Sequence, residues 1–157
     1  MEYVLEQLKF DEYFSEHKVD AVNRLSHLFM SIKPAIEIYK ENPDALLMDC
    51  TYKTNYFNIP FEYCRCNWDE HYNSRGTSFS TRGKERDYRF AIEQLRSMMI
   101  LHNISLPQLI LVDCEVAILN VLDVLFPDVP VLLCLWHVEK NIQKKHARQD
   151  ALQQVRD

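Results

Sequence analysis

Short apolar runs and helical periods alternate along this chain with polar breaks, and that alternation predicts most of its elements. Val22, Leu25, Leu28 and Phe29 stand at helical spacing within residues 19–32, although Leu28-Phe-Met-Ser31 also reads as a strand. Ser31 and Pro34 fit a helix start, and the helix continues over 35–41 until Asn42-Pro43 breaks it. Residues 45–48 form a short apolar run, read as a buried strand, that ends on Asp49; residues 56–60 begin its antiparallel partner. From Glu85 to about His102, the positions Tyr88, Ala91, Ile92, Leu95, Met98 and Met99 keep a period near 3.6 and predict a helix. A second buried strand over 109–112 runs into Asp113, and a helix carrying Val116, Ala117, Leu119, Asn120, Leu122 and Val124 follows to Phe126, where Pro127 stops it. Residues 129–133 are a third strand, with Pro130 tolerable only near its start. A long polar helix opens near Trp136.

The order helix, strand, helix, strand, helix from residue 85 onward implies parallel strands joined by right-handed crossovers. The expected class is therefore α/β: a short, mainly parallel sheet with strands near 45–49, 109–113 and 129–134, flanked by helices. Two stretches fit this scheme poorly. Residues 1–18 mix aromatic and charged side chains and read as a short helix or a tail, leaving 19–157 as the domain. Residues 64–82 show no alternation, no apolar run and no helical period, so they are expected to be irregular, which is unusual for so long a stretch inside a compact domain. Glycine is scarce as well. The chain has two, Gly76 and Gly83, where average usage of about 7% would supply roughly eleven.

Composition narrows the function more than the fold. At 157 residues and 47% hydrophobic content, the chain can bury a single sizeable core. A formal net charge of −5 argues against a protein whose main work is coating a phosphate backbone. One local basic stretch stands out in the last helix: Lys140, Lys144, Lys145 and Arg148, with His146 among them. It reads either as a solvated helix face or as a phosphate contact. Five cysteines, at 50, 64, 66, 114 and 134, are odd in number and scattered, as in a reducing compartment. No apolar run approaches the ~20 residues of a membrane helix, and the amino terminus lacks the basic and apolar regions of a secretory signal. An intracellular, non-secreted protein is expected.

The candidate chemistry sits at the strand ends. A carboxylate at the carboxyl end of a buried strand lies at the sheet rim, where α/β folds place their sites. Asp49 and Asp113 both occupy such positions and together can share divalent metal ions. Each also has a plainer reading: Asp113 as the cap of the following helix, Asp49 as the acceptor of turn amides. At the third strand end stands Cys134-Leu-Trp-His137. A thiolate and an imidazole at that spacing form half of a zinc site, or pack as buried structural residues.

Taken in order, these residues resemble the catalytic domain of Mutator-like element (MULE) transposases, which have an RNase H-like fold. The match spans about residues 24–145. It includes Leu28-Phe-Met, Leu47-Met-Asp-Cys-Thr-Tyr-Lys-Thr-Asn55, Phe57-Asn-Ile-Pro60, Lys84-Glu-Arg-Asp-Tyr88 with Ala91-Ile-Glu-Gln-Leu95, Val112-Asp-Cys-Glu-Val-Ala117, Phe126-Pro127 and Cys134-Leu-Trp-His-Val-Glu-Lys-Asn141. The resemblance implies a D-D-E active site with Asp49 and Asp113 as its first two acids, served by Mg²⁺ or Mn²⁺. It also implies DNA as partner, and the nucleus as compartment. It puts the third acid well beyond the Cys-x-x-His element, whereas this chain stops at Asp157 and Glu139 does not match that position. An incomplete RNase H-like fold, and a chain inactive by itself, are thus the expectations.

The family fills the stretch after Pro60 with two antiparallel strands, which the pattern of 64–82 does not show. One permissible codon set for residues 60–79, read one base later, encodes two apolar strand-like runs around a turn. Because the resemblance resumes at Lys84, a compensating shift would lie close to Gly83. The expected result of sequencing the locus is a family-like strand pair in a shifted frame across codons 60–83; its absence from both alternative frames excludes the slip.

Overall fold

The computed structural model describes residues 13–51, 61–66, 74–80, 85–113, 115–140, 142–143 and 145. In chain order they form strands β1 (Tyr13–Val19) and β2 (Leu25–Ile32), helix α1 (Lys33–Glu41) and strands β3 (Ala45–Thr51), β4 (Phe61–Cys66) and β5 (Ser74–Ser80). Helix α2 (Glu85–Leu101), strand β6 (Leu109–Val112), helix α3 (Val116–Leu125) and strand β7 (Val131–Leu133) follow, and residues 135–140 are helical again. The strands make one sheet in the order β1-β2-β5-β4-β3-β6-β7. Pairing is antiparallel from β1 to β3 and parallel across β3, β6 and β7. The parallel trio flanked by helices is the α/β arrangement expected, and β5-β4-β3-β6-β7 follows the 3-2-1-4-5 order of the RNase H-like fold.

Where the apolar period is unambiguous, the chain follows it. α2 buries Tyr88, Ala91, Ile92, Leu95, Met98 and Met99 on one stripe, and α3 buries Ile118, Val121 and Leu122. β3 contributes Leu46 and Met48, and β6 contributes Ile110 and Val112, to the same core cluster. Alternate residues on each strand thus face one layer, as the two-residue repeat requires. Ile36 and Tyr39 bring α1 into that cluster, where the Tyr39 hydroxyl meets Met99 Sδ at 3.6 Å. Pro34 sits in the first turn of α1, where a missing amide is harmless. At the other end Asn42 Nδ2 donates to the Ile38 carbonyl at 3.2 Å, closing the helix.

Two expectations need correction. The helical spacing of Val22, Leu25, Leu28 and Phe29 does not make a helix, and residues 13–18 are neither helical nor a tail. They belong to a hairpin, β1 to β2, with Phe14 opposite Ser31 and Glu16 opposite Phe29. The turn chemistry decides it. Asp20 Oδ1 accepts the amides of Val22 at 3.0 Å and Arg24 at 2.8 Å, and Asp20 Oδ2 takes the Arg24 guanidinium at 2.9 Å. Asn23 adopts φ 58°, a left-handed conformation that asparagine tolerates. The Arg24 amide foremost holds the Asp20 carboxyl below its ordinary value, against a smaller opposing effect of desolvation.

The second correction concerns residues 64–82, expected to be irregular. Within them 64–66 complete β4 and 74–80 form β5, so the strand pair is present and β4 covers the edge of β3. The expected strand start at 56–60 lies outside the described residues. The β4–β5 register is nevertheless poor in favourable pairs: it sets Arg65 opposite Arg75 and Cys64 opposite Gly76. Like charges directly opposed in a sheet are destabilising. Arg75→Thr, which exchanges a charge for a β-branched residue, is expected to raise stability by about 0.5 kcal/mol in urea unfolding; an unchanged or lowered midpoint contradicts the assigned register.

Candidate functional site

The site is built on the parallel contact of β3 with β6. At the start of these strands the Asp44 carbonyl accepts the amides of Gln108 at 2.8 Å and Leu109 at 3.2 Å. The Gln108 side-chain amide returns to Asp44 Oδ1 at 2.9 Å. From this clamp the register runs Ala45↔Leu109 to Met48↔Val112. Asp49 and Asp113 are the next residues on the two strands, so their backbones stand side by side at the carboxyl edge. Adjacent strands lie about 4.8 Å apart, a separation at which two carboxylates can address one ion or an ion pair.

β7 extends the row. Val112 pairs with Leu133, and the Cys134 amide donates to the Val112 carbonyl at 2.8 Å. Cys134 therefore follows Leu133 as Asp113 follows Val112. Asp49 near the end of β3, and Asp113 and Cys134 just past the ends of β6 and β7, thus form one row across three neighbouring parallel strands.

Asp113 is half-buried, with its Oδ1 atom withdrawn from solvent. It is not the cap of α3: that position belongs to Glu115, whose side chain makes no capping bond to the helix. The Asp113 carbonyl accepts the Glu115 amide at 2.9 Å, forming a tight turn between strand and helix. Asp49 is described by its backbone, paired with Tyr63 across β3 and β4. Cys134 is a free thiol and half-buried. Its carbonyl accepts the Val138 amide at 3.1 Å, so the Cys-x-x-His element opens the last helix. His137 lies in that first turn with Nδ1 buried, its ring edge-on to Trp136 at 4.7 Å. Of the basic stretch, Lys140 and Lys145 are described and exposed; Lys140 Nζ stands 3.7 Å from the Trp136 ring centroid. Lys144, His146 and Arg148 lie outside the residues whose side chains are described.

The first turn of α2 holds polar contacts that the spacing did not reveal, Tyr88 having stood out there only as a core position. Asp87, 1% exposed, receives His27 Nε2 at 2.8 Å, and His27 Nδ1 meets Ser26 Oγ at 3.0 Å. Ser26 Oγ in turn donates to the Lys18 carbonyl at 3.0 Å. Tyr88 donates to Glu115, and Asn120 Nδ2 reaches Glu85 at 3.4 Å. These partners are far apart in sequence, and only Asp87 carries a signal of its own, as an acid at a helix start beside a strongly apolar stripe.

A mixed sheet whose parallel strands carry acids toward their carboxyl ends makes this an α/β protein with a candidate site at the sheet rim. A profile of the MULE transposase domain matches residues 45–141, which run from β3 through the Cys134-x-x-His137 element. This is more than half of the chain, and the chain belongs to that family. No curated protein and no solved structure matches it.

Two carboxylates suit a hard cation that takes oxygen ligands. Among the described residues no group of three or more His, Cys, Asp or Glu is placed to hold a metal. Of the acid row, Asp113 is the member whose side chain is described, and Asp49 is placed by its backbone. The His27–Asp87 contact generates a separate expectation: removing one partner of a buried hydrogen bond leaves the other unsatisfied. Asp87→Ala should cost about 2 kcal/mol in denaturant unfolding, whereas a loss below ~0.5 kcal/mol shows that the contact does not hold the fold.

Proposed function

We propose that this chain is a transposase-derived domain whose Asp49 and Asp113 are two acids of a D-D-E site for DNA strand cleavage and transfer. The observation that carries the reading is the β3–β6 register, which sets both residues at one level on neighbouring strands. A bound Mg²⁺ or Mn²⁺ supplies Lewis-acid polarisation of the phosphodiester and a more acidic attacking water. The contribution of Asp49 and Asp113 is to bind and orient that ion. DNA is the partner and the nucleus the compartment on this reading. Two carboxylates by themselves hold such an ion weakly, and a D-D-E site needs a third acid that Asp49 and Asp113 do not supply.

One observation favours a second, non-enzymatic role in protein contact. Leu132, Leu133, Leu135 and Trp136 are exposed around the outer strand β7 and the helix after it, Leu135 at 77% and Trp136 at 55%. Apolar surface clustered in this way marks a binding face.

Purified protein incubated with labelled DNA and Mn²⁺ or Mg²⁺ separates the two. The expected result is no cleavage or joining, together with weak Mn²⁺ binding by electron paramagnetic resonance that falls on the order of tenfold in Asp49→Asn or Asp113→Asn. Strand transfer by the unsubstituted chain, abolished by either substitution, would show that two acids suffice and that the chain is an active enzyme. Mn²⁺ binding indifferent to both substitutions would remove the acid pair from the site.

A further inference from the structure

α2 starts at the same edge of the sheet as the acid row. β5, which leads towards it, places Phe79 opposite Phe61, and Phe61 stands opposite Thr51 at the carboxyl end of β3. Three residues into α2, Tyr88 is 1% exposed and belongs to the core cluster. Its phenol hydroxyl donates to Glu115 Oε2 at 2.5 Å. A buried hydroxyl requires a partner, and the carboxylate it meets belongs to the turn that carries Asp113.

Glu115 is fixed on three sides. Its amide donates to the Asp113 carbonyl at 2.9 Å, its own carbonyl accepts the Leu119 amide at 3.2 Å, and its carboxylate receives Tyr88. As the N-cap residue of α3 it makes no side-chain bond to that helix. The carboxylate forgoes an end-cap and holds the phenol instead. On the other side of Asp113, the Val112 carbonyl is bound by the Cys134 amide at 2.8 Å. Asp113 is therefore suspended between two anchors, a strand end tied to β7 and a helix cap tied to Tyr88.

We propose that Tyr88 is a positioning residue for Asp113, acting through Glu115 to fix the direction in which the Asp113 carboxylate is offered to a divalent cation. The metal half of this inference rests on the reading of Asp113 as a ligand. Outer groups that orient a ligand typically change metal affinity by ten- to a hundredfold when removed. A tyrosine that only filled the core would transmit nothing to the turn when its hydroxyl alone was removed.

Tyr88→Phe keeps the buried ring and deletes the hydrogen bond. In the full chain, hydrogen exchange at the Glu115 amide is expected to accelerate about tenfold, the loss of one bond to a charged acceptor. The core amides of Val121 and Leu122 should be unchanged. With Mn²⁺ as probe, Tyr88→Phe and Glu115→Ala should each weaken binding about tenfold. The double variant should be no weaker than either single one, because both act on one linkage. Unaltered exchange at Glu115 in Tyr88→Phe overturns the proposal, as do single effects that multiply in the double variant. If the unsubstituted protein shows no Asp113-dependent Mn²⁺ binding, the metal reading fails; the exchange rate then decides by itself whether Tyr88 holds the turn.

Discussion

The parallel register of β3 against β6 is the constraint from which the rest of the molecule follows. It is fixed at one end by the reciprocal bonds between Asp44 and Gln108, and along its length by burial of Leu46, Met48, Ile110 and Val112 in one cluster. A slip of one residue would turn the inward side chains of either strand to the opposite face. Burial therefore penalises odd slips, and the Asp44–Gln108 bonds oppose the even ones, leaving the register that levels Asp49 with Asp113. The alignment of the acids is a by-product of how the core packs. It follows from packing and these bonds alone, so the alignment of the acids is evidence of the fold before it is evidence of any chemistry.

The first turn of α2 ties this central pair to the outer parts of the fold. Asp87 reaches β2 through His27, Tyr88 reaches the Asp113 turn through Glu115, and Glu85 meets Asn120 on α3. Each contact joins a different element to one helical turn, and Asp87 and Tyr88 are buried. Polar links of this kind specify one arrangement among the several that apolar packing would tolerate, because an apolar stripe alone allows a helix to slide or roll. The helix stripe supplies the adhesion, and its first turn supplies the address.

Elements with a pure period were readable from the chain alone. α2 and α3 follow their 3.6-residue stripes, and β3 and β6 follow short apolar runs that end on acids, so both aspartates stood out without a structure. The hairpin of β1 and β2 was not readable by period, because Val22, Leu25, Leu28 and Phe29 imitate a helix. The deciding information was in Asp20 and Asn23, whose short polar side chains make the turn. β4 and β5 lack alternation altogether; their strand form comes from the neighbours on either side, β3 and β2, which offer unpaired backbone edges. Tyr88 with Glu115, and His27 with Asp87, lie 27 and 60 residues apart in the chain. No local spacing could connect them.

The Asp44–Gln108 clamp also orders events in time. The hairpin turn closes over a sequence separation of 4, from Asp20 to Arg24, whereas the clamp brings together residues separated by 64. By the logarithmic growth of loop entropy, closing the longer loop costs about 2.5 kcal/mol more. Local pairings are therefore available to the collapsing chain before the parallel contact is. Asp49 and Asp113 come level only when that closure succeeds, so the acid pair is assembled with the long-range contacts of the fold and not with its local ones.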